Sequence, residues 1–325
     1  MSGHSHGSGL PRLHIVYRSH GGENAKSRPP YYSKLLGLAS VVRAVRESGV
    51  SPHVVYWNDG PIPGDRLEVM RATGEVVQID GGSNRRSYRA ALQMAARSEW
   101  DDADLVWLME DDYLYQPQAF RMLAEGAAAL PDADYLSMYG REALDVASPR
   151  RAPRGYGRLG AVDVPDPVHV GGATWFRGVS TTSTFGVRLG VLREDCALLR
   201  ALPYTGGGWD HTTCLTVQGL QPFSWAEIRE ELLPVGELPV SQWPASVARG
   251  LVRTGVNLRS RRSPARCRRL YLCDPVCAVH VELSALACAT DWSSVAADTR
   301  AWALGEGIPV ATHEADASAG PGPGA

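Results

Sequence analysis

Lysine is nearly missing from this chain: it occurs only at Lys26 and Lys34, and arginine supplies the other 31 basic side chains. With abundant Ala, Gly and Pro, this is the usage of a GC-rich bacterial genome, so arginine clusters carry less functional weight than elsewhere. Net charge is small as well, −2 at pH 7 over 325 residues, which argues against general nucleic-acid binding. No apolar run approaches the ~18 residues of a membrane span, and no charged-then-apolar leader opens the chain. A cytoplasmic protein is therefore expected, meeting a membrane only at its periphery. The six cysteines include no CxxC pair, and the spacings of six, four and eleven from Cys267 through Cys273 and Cys277 to Cys288 match no common zinc module. Reduced structural thiols are the expectation.

What is present is 44% apolar content, enough for a large core, organised around residues 103–115. Leu105 to Met109 is a short continuous apolar run, read as a strand buried on both faces. It ends in Glu110, Asp111 and Asp112. Alternation along an extended chain points Glu110 and Asp112 to one side and Asp111 to the other. Two like charges ~4 Å apart repel by roughly 4 kcal/mol at an effective dielectric of about 20, so such a triplet either faces solvent as an acidic turn or meets a cation. Oxygen ligands at a strand end suit Mg²⁺ or Mn²⁺.

Before that stretch, Leu13 to Tyr17, His53 to Trp57 and Glu75 to Ile79 read as strands. Tyr31 to Glu47 and Gly64 to Ala72 read as helices between them. This alternation predicts a parallel α/β sheet with right-handed crossovers. Ligands of such sheets bind at the carboxyl ends of the strands, where Arg18, Asn58, Asp59, Asp80 and the triplet would meet. Asp80-Gly81-Gly82-Ser83-Asn84 then offers a turn and a helix cap. The helix start that follows, with Arg85 and Arg89, is a candidate anion site.

Downstream, Pro117 to Leu130 reads as a helix and Asp134 to Tyr139 as a strand, and the Pro- and Arg-rich 143–156 as a mobile connection. Trp175 to Leu192 reads as β structure carrying the hydroxyl run Ser180 to Thr184, and Glu194 to Leu202 as a short helix. Gly206-Gly207-Gly208-Trp209-Asp210-His211 permits unusual backbone angles and delivers a carboxylate onto a helix start. Asp210 is either a plain cap or a base facing a pocket, with His211 as the neighbouring alternative. Arg249 to Arg269 holds eight arginines interrupted by Pro264, read as a solvated loop or as a lid over an anion. His280 sits in an otherwise apolar strand, Ala278 to Glu282. The ends, 1–10 and 312–325, are expected to be disordered, His4 and His6 included.

The turn, the arginine-bearing helix and the apolar strand ending in Glu-Asp-Asp, from Gly82 to Tyr115, resemble the nucleotide-sugar half of a GT-A glycosyltransferase, most similar to family two. The resemblance implies a Rossmann-like, mostly parallel central sheet flanked by helices, with a core over 11–220 and a smaller acceptor or lid region over 221–311. It further implies Asp112 as the main metal ligand with Glu110 in support, and Asp111 at the sugar. By the same resemblance, His280 is the C-terminal histidine at the metal, Asn58 and Asp59 lie at the base, and Asp210 is the catalytic base of an inverting transfer. Trp209 stands where relatives carry Glu, a departure that keeps open a non-catalytic nucleotide-sugar-binding protein. A sugar-phosphate nucleotidylyltransferase shares the sheet, but it needs a glycine-rich loop with a following Arg, which His20 to Ala25 lacks. The implied partners are a nucleoside-diphosphate sugar and a small-molecule, glycan or lipid-linked acceptor.

Overall fold

The computed structural model describes residues 9–23, 26–140, 164–233, 239–261, 266–286 and 290–310. The expected connection over 143–156 and the expected tails, apart from Gly9 and Leu10, lie outside them. Four parallel strands form one half of a mixed sheet: β1 (Leu13–His20), β2 (His53–Asp59), β3 (Glu75–Ile79) and β4 (Leu105–Glu110), in the order β3-β2-β1-β4. The crossovers are α1 (Lys34–Glu47), α2 (Gly64–Thr73) and α3 (Asn84–Arg97). Ser33 and Ser83 cap α1 and α3, their hydroxyls accepting from the amides of Leu36 and Arg86.

The continuous apolar run in β4 follows from burial on both faces. Leu105, Trp107 and Met109 enter one core with α1, while Val106 and Leu108 enter a second with Tyr88, Ala91 and Leu92 of α3. Beyond β4 the chain forms β5 (Tyr113–Tyr115), α4 (Ala119–Ala129), β6 (Tyr135–Ser137), β7 (Val168–Val170), β8 (Ala173–Arg177) and β9 (Phe185–Arg188). The expected β segment to Leu192 stops at Arg188. Helix α5 (Leu189–Ala201) starts at once, because Leu189, Leu192, Leu198 and Leu199 form a buried helical stripe. Arg188 also closes α4, donating to the carbonyls of Ala127, Leu130 and Ala133.

The remaining elements are α6 (Trp209–Val217), α7 (Trp225–Leu232), α8 (Trp243–Arg259), β10 (Leu270–Asp274), β11 (Ala278–His280) and α9 (Trp292–Gly305). The solvated-loop reading of 249–269 is corrected over 249–259, which is the second half of α8. Strand β10 returns to the main sheet, whose full order is β3-β2-β1-β4-β9-β6-β10-β8-β7. Strand β11 pairs antiparallel with β5 in a separate two-stranded ribbon. Cys196, Cys214, Cys273 and Cys277 are free thiols.

Candidate active site

The register of β1 against β4 sets Arg18 opposite Glu110. The Arg18 guanidinium pairs with the Glu110 carboxylate and also donates to Asn84 Oδ1 at 3.1 Å. Alternation sends Asp111 the other way, as expected. Its Oδ2 accepts from Ser19 Oγ and the His20 amide, both at 3.0 Å, and lies 2.9 Å from Lys34 Nζ. Lys34 in turn donates to the carbonyls of His20 and Gly22. Asp111, implied at the sugar, therefore fastens the loop after β1.

Asp112 and His280 are 168 residues apart and are joined by the ribbon. Val281 donates its amide to the Asp112 carbonyl at 2.9 Å, and His280 pairs in register with Tyr113. This brings His280 Nε2 to 2.8 Å from Asp112 Oδ2. The same oxygen meets Arg28 Nη2 at 2.9 Å and Lys26 Nζ at 3.2 Å, and Lys26 Nζ lies 2.9 Å from His280 Nε2. Burial alone would raise the Asp112 carboxyl. The hydrogen bond and charge of His280, with Arg28 and Lys26, reverse that and hold it well below the usual carboxylate range. Burial does prevail at Glu110, whose carboxyl is raised.

Whether these residues suit a divalent ion turns on the atoms left over. Asp112 Oδ1 is buried and accepts no hydrogen bond. Glu282 Oε2 lies 3.4 Å from His280 Nδ1, where it would hold the proton once Nε2 turned from the Asp112 carboxylate to a metal ion. One carboxylate oxygen and one imidazole nitrogen are a fitting pair for Mn²⁺ or Mg²⁺, with the other positions open to phosphate and water. Glu110, expected as a third ligand, is turned to Arg18. Among the described residues no three His, Cys, Asp or Glu side chains converge as a metal-holding group.

A cleft of about 1060 Å³ opens over these groups at the carboxyl ends of β1, β2, β3 and β4. Lys26, Glu110 and Asp112 lie on its wall, as do Asp59, Asp80 and the start of α3 at Ser83 and Asn84. Asp59 accepts from the amides of Gly81 (2.7 Å) and Gly82 (3.1 Å), which shapes the turn before α3. Asn58 is corrected: it is fully buried, its amide against Met70 Sδ, and it does not line the cleft. Arg85 and Arg89 are corrected as well. Both guanidiniums gather over the Tyr204 ring, and Arg89 donates to its hydroxyl at 2.7 Å, so neither lines the cleft.

Gly208, at φ +70°, turns the chain into α6 and sets Asp210 in its first turn. Trp209 packs its ring 4.7 Å from that of Tyr88. Burial raises the Asp210 carboxyl, against the opposing charges of His211, His280 and Lys26. His211 is exposed. From the hydroxyl run, Thr184 Oγ1 accepts from the Glu110 amide and Thr182 Oγ1 from the Tyr113 hydroxyl, tying that segment to the triplet.

Sequence reasoning missed Lys26, Arg28, Lys34 and Arg66. Arg66 is buried, 3.8 Å from Asp111, and donates to the carbonyls of His20 and Gly21. A signal was available for two of them: the chain has only two lysines, and each meets a carboxylate of the triplet.

No family model matches the chain, and no curated protein matches it. Among solved structures it is similar to S. aureus TarS 1–349, with a TM-score of 0.39 and 14% identity over 74% of this chain and 71% of that one. It is also similar to the galactosyltransferase LgtC in complex with donor and acceptor sugar analogs, with a TM-score of 0.39 and 12% identity over 89% of this chain and 95% of that one. A third similar structure is CMP:2-keto-3-deoxy-manno-octonic acid synthetase complexed with CTP, with a TM-score of 0.37 and 14% identity over 91% of this chain and 99% of that one.

Proposed function

We propose that the chain is a GT-A-type glycosyltransferase that moves a sugar from a nucleoside-diphosphate sugar to an acceptor hydroxyl with inversion. The observation that carries the reading is the meeting of Asp112, on the wall of the large cleft, with His280 behind it at 2.8 Å, and a buried Asp112 oxygen left unpartnered. Asp59, Asp80 and the amide end of α3 receive the nucleoside side of the donor. Lys26 and Arg28 face its diphosphate. Mn²⁺ or Mg²⁺, held by Asp112 and His280, would supply Lewis-acid stabilisation of the departing diphosphate. Asp111 and Lys34 keep the loop after β1 in place. Asp210, made more basic by burial, takes the proton of the acceptor hydroxyl as the anomeric carbon is attacked.

Calorimetry with UDP, GDP, TDP and CDP, each with Mn²⁺, Mg²⁺ or EDTA, tests the donor site. One diphosphate is expected to bind strongly and to be lost with EDTA and in Asp112→Ala. No binding of any of them overturns the reading. Pyrophosphate release from a nucleoside triphosphate and a sugar phosphate would favour a nucleotidylyltransferase, and binding without turnover a sugar-nucleotide-binding protein.

A further inference from the structure

Helix α8 is apolar on more than the side it buries. Toward α7 and residue 223 its contacts are small and polar, while Val256, with Val252 beside it, packs into the core shared with α3 and α5. Ser246 donates to the Glu231 carbonyl, Asn257 exchanges two hydrogen bonds with the backbone of Phe223, and a Cβ at Gly250 would lie 2.9 Å from Leu232. The outer face is apolar. Pro244, Ala248, Leu251, Gly255 and Leu258 recur at spacings of four, three, four and three, one stripe of a helix, and all are exposed. Leu251 is 61% exposed, Leu258 55% and Trp243 41%. A leucine stripe left in water on a helix whose core side is already packed through Val256 implies a partner from outside the chain.

Charge decides which partner. Residues 239–261 carry Arg249, Arg253, Arg259 and Arg261 and no Asp or Glu. Glu231 pairs with Arg249 and Arg253, whereas Arg259 and Arg261 are exposed, with Arg261 over the ring of Trp225. A second copy would set one all-basic helix against another. On α8 itself a leucine stripe with Trp243 and the flanking Arg259 and Arg261 is the composition that lies in the interface of an anionic bilayer, with the exposed Glu227 and Glu230 confined to neighbouring α7.

We propose that the outer face of α8 docks on an anionic lipid surface, and that the acceptor is an amphiphile presented there. The second half rests on the transferase reading. The link between the two is short: Arg253 donates to the Thr205 carbonyl at 2.9 Å, and a Cβ at Gly206 would lie 3.3 Å from Arg253 Nη2. The docking helix therefore packs on the glycine turn that delivers Asp210, and docking holds that turn beside the bilayer.

The test is co-sedimentation of the full chain with vesicles of phosphatidylcholine alone and with a quarter phosphatidylglycerol. It is run for the wild type and for Leu251→Glu with Leu258→Glu, with light scattering for oligomeric state. The wild type is expected to sediment with the anionic vesicles, and the double variant to bind them on the order of tenfold more weakly while keeping nucleotide binding. Should the glutamates impair folding, Leu251→Ser with Leu258→Ser serves in their place. Absence of sedimentation, or equal sedimentation of wild type and variant, overturns the proposal. A wild-type dimer that the variant dissociates, without vesicle binding, also overturns it and assigns the face to a second copy. Nucleotide binding, measured separately, reports on the transferase reading whichever way the vesicles decide.

Discussion

Strands β1 and β4 run side by side from Leu13 and Leu105 to Arg18 and Glu110, and their two ends treat buried charge in opposite ways. At the amino end one carboxylate meets one imidazole. Asp104 Oδ2 lies 2.8 Å from the fully buried His14 Nε2 and accepts from the Asp101 amide, while the His14 ring stacks on Trp100 at 3.9 Å. Both members of the pair are satisfied. At the carboxyl end, Glu110, Asp111, Asp112 and Glu282 face Arg18, Lys26, Arg28, Lys34 and Arg66, and a buried Asp112 oxygen is left over beside a large cleft. A satisfied buried pair specifies and stabilises the fold. Surplus cations and an unused ligand atom are what a protein keeps for something it binds.

The comparison breaks most sharply under substitution of the carboxyl end. Asp112→Asn is expected to lower turnover by roughly a hundredfold or more and to abolish metal-dependent nucleotide binding, and, since Asp112 pairs with Arg28 and Lys26, to lower the melting temperature as well. Asp210→Asn should cut kcat by a similar order while leaving nucleotide binding intact. It should also remove the acid limb of the pH profile, which burial of Asp210 sets above the ordinary aspartate value. Retained turnover in Asp210→Asn alongside a dead Asp112→Asn would move the base elsewhere and keep the donor site.

The amino end should show the reverse. His14→Ala leaves Asp104 without its partner and is expected to lower stability by about 3 kcal/mol in urea denaturation, with nucleotide affinity unchanged. Burial holds the His14 imidazole below its ordinary 6.5, against the hydrogen bond and charge of Asp104. The unfolded chain therefore takes up the proton first as pH falls below 6.5, and stability is lost from there downward. Denaturation series at pH 8 and pH 5 should show that loss in the wild type, and a smaller one in His14→Ala.

How much of this was legible depended on range. The parallel strands, their helices and the alternation at Glu110, Asp111 and Asp112 are local patterns, and the sequence carried them. The Asp112 and His280 contact is set by β11 folding back on β5, and no local pattern encodes that pairing. Asn58 misled because β2 runs on through it to Asp59, which turns its side chain onto a buried face. Arg85 and Arg89 misled because a helix start shows which residues are near, while the phase of the helix decides that they face Tyr204. The exposed leucine stripe of α8 was hidden by arginine periodicity that fits no single face.

A subtler test concerns Lys26, whose ammonium lies where a metal would approach both Asp112 and His280. Without nucleotide, Lys26→Met should bind Mn²⁺ several-fold more tightly by electron paramagnetic resonance, roughly fivefold, since a fixed positive charge is removed from the approach. Weaker binding would mean that Lys26 organises the ligands instead of competing with the ion.

The smallest expected effect sharpens the boundary of the site. Arg85→Ala and Arg89→Ala remove two charges at the start of α3, where a helix end and two guanidiniums together look like an anion cradle. Their side chains pack on Tyr204 away from the cleft, while Ser83 and Asn84 line it. Nucleoside-diphosphate affinity should therefore change by no more than about twofold, the scale of a screened surface charge. Asn84→Ala, by contrast, removes the oxygen that accepts from Arg18 and should weaken binding more than either arginine. A large loss in Arg89→Ala would mean that the donor reaches over α3 toward Tyr204, extending the site beyond the carboxyl ends of the strands.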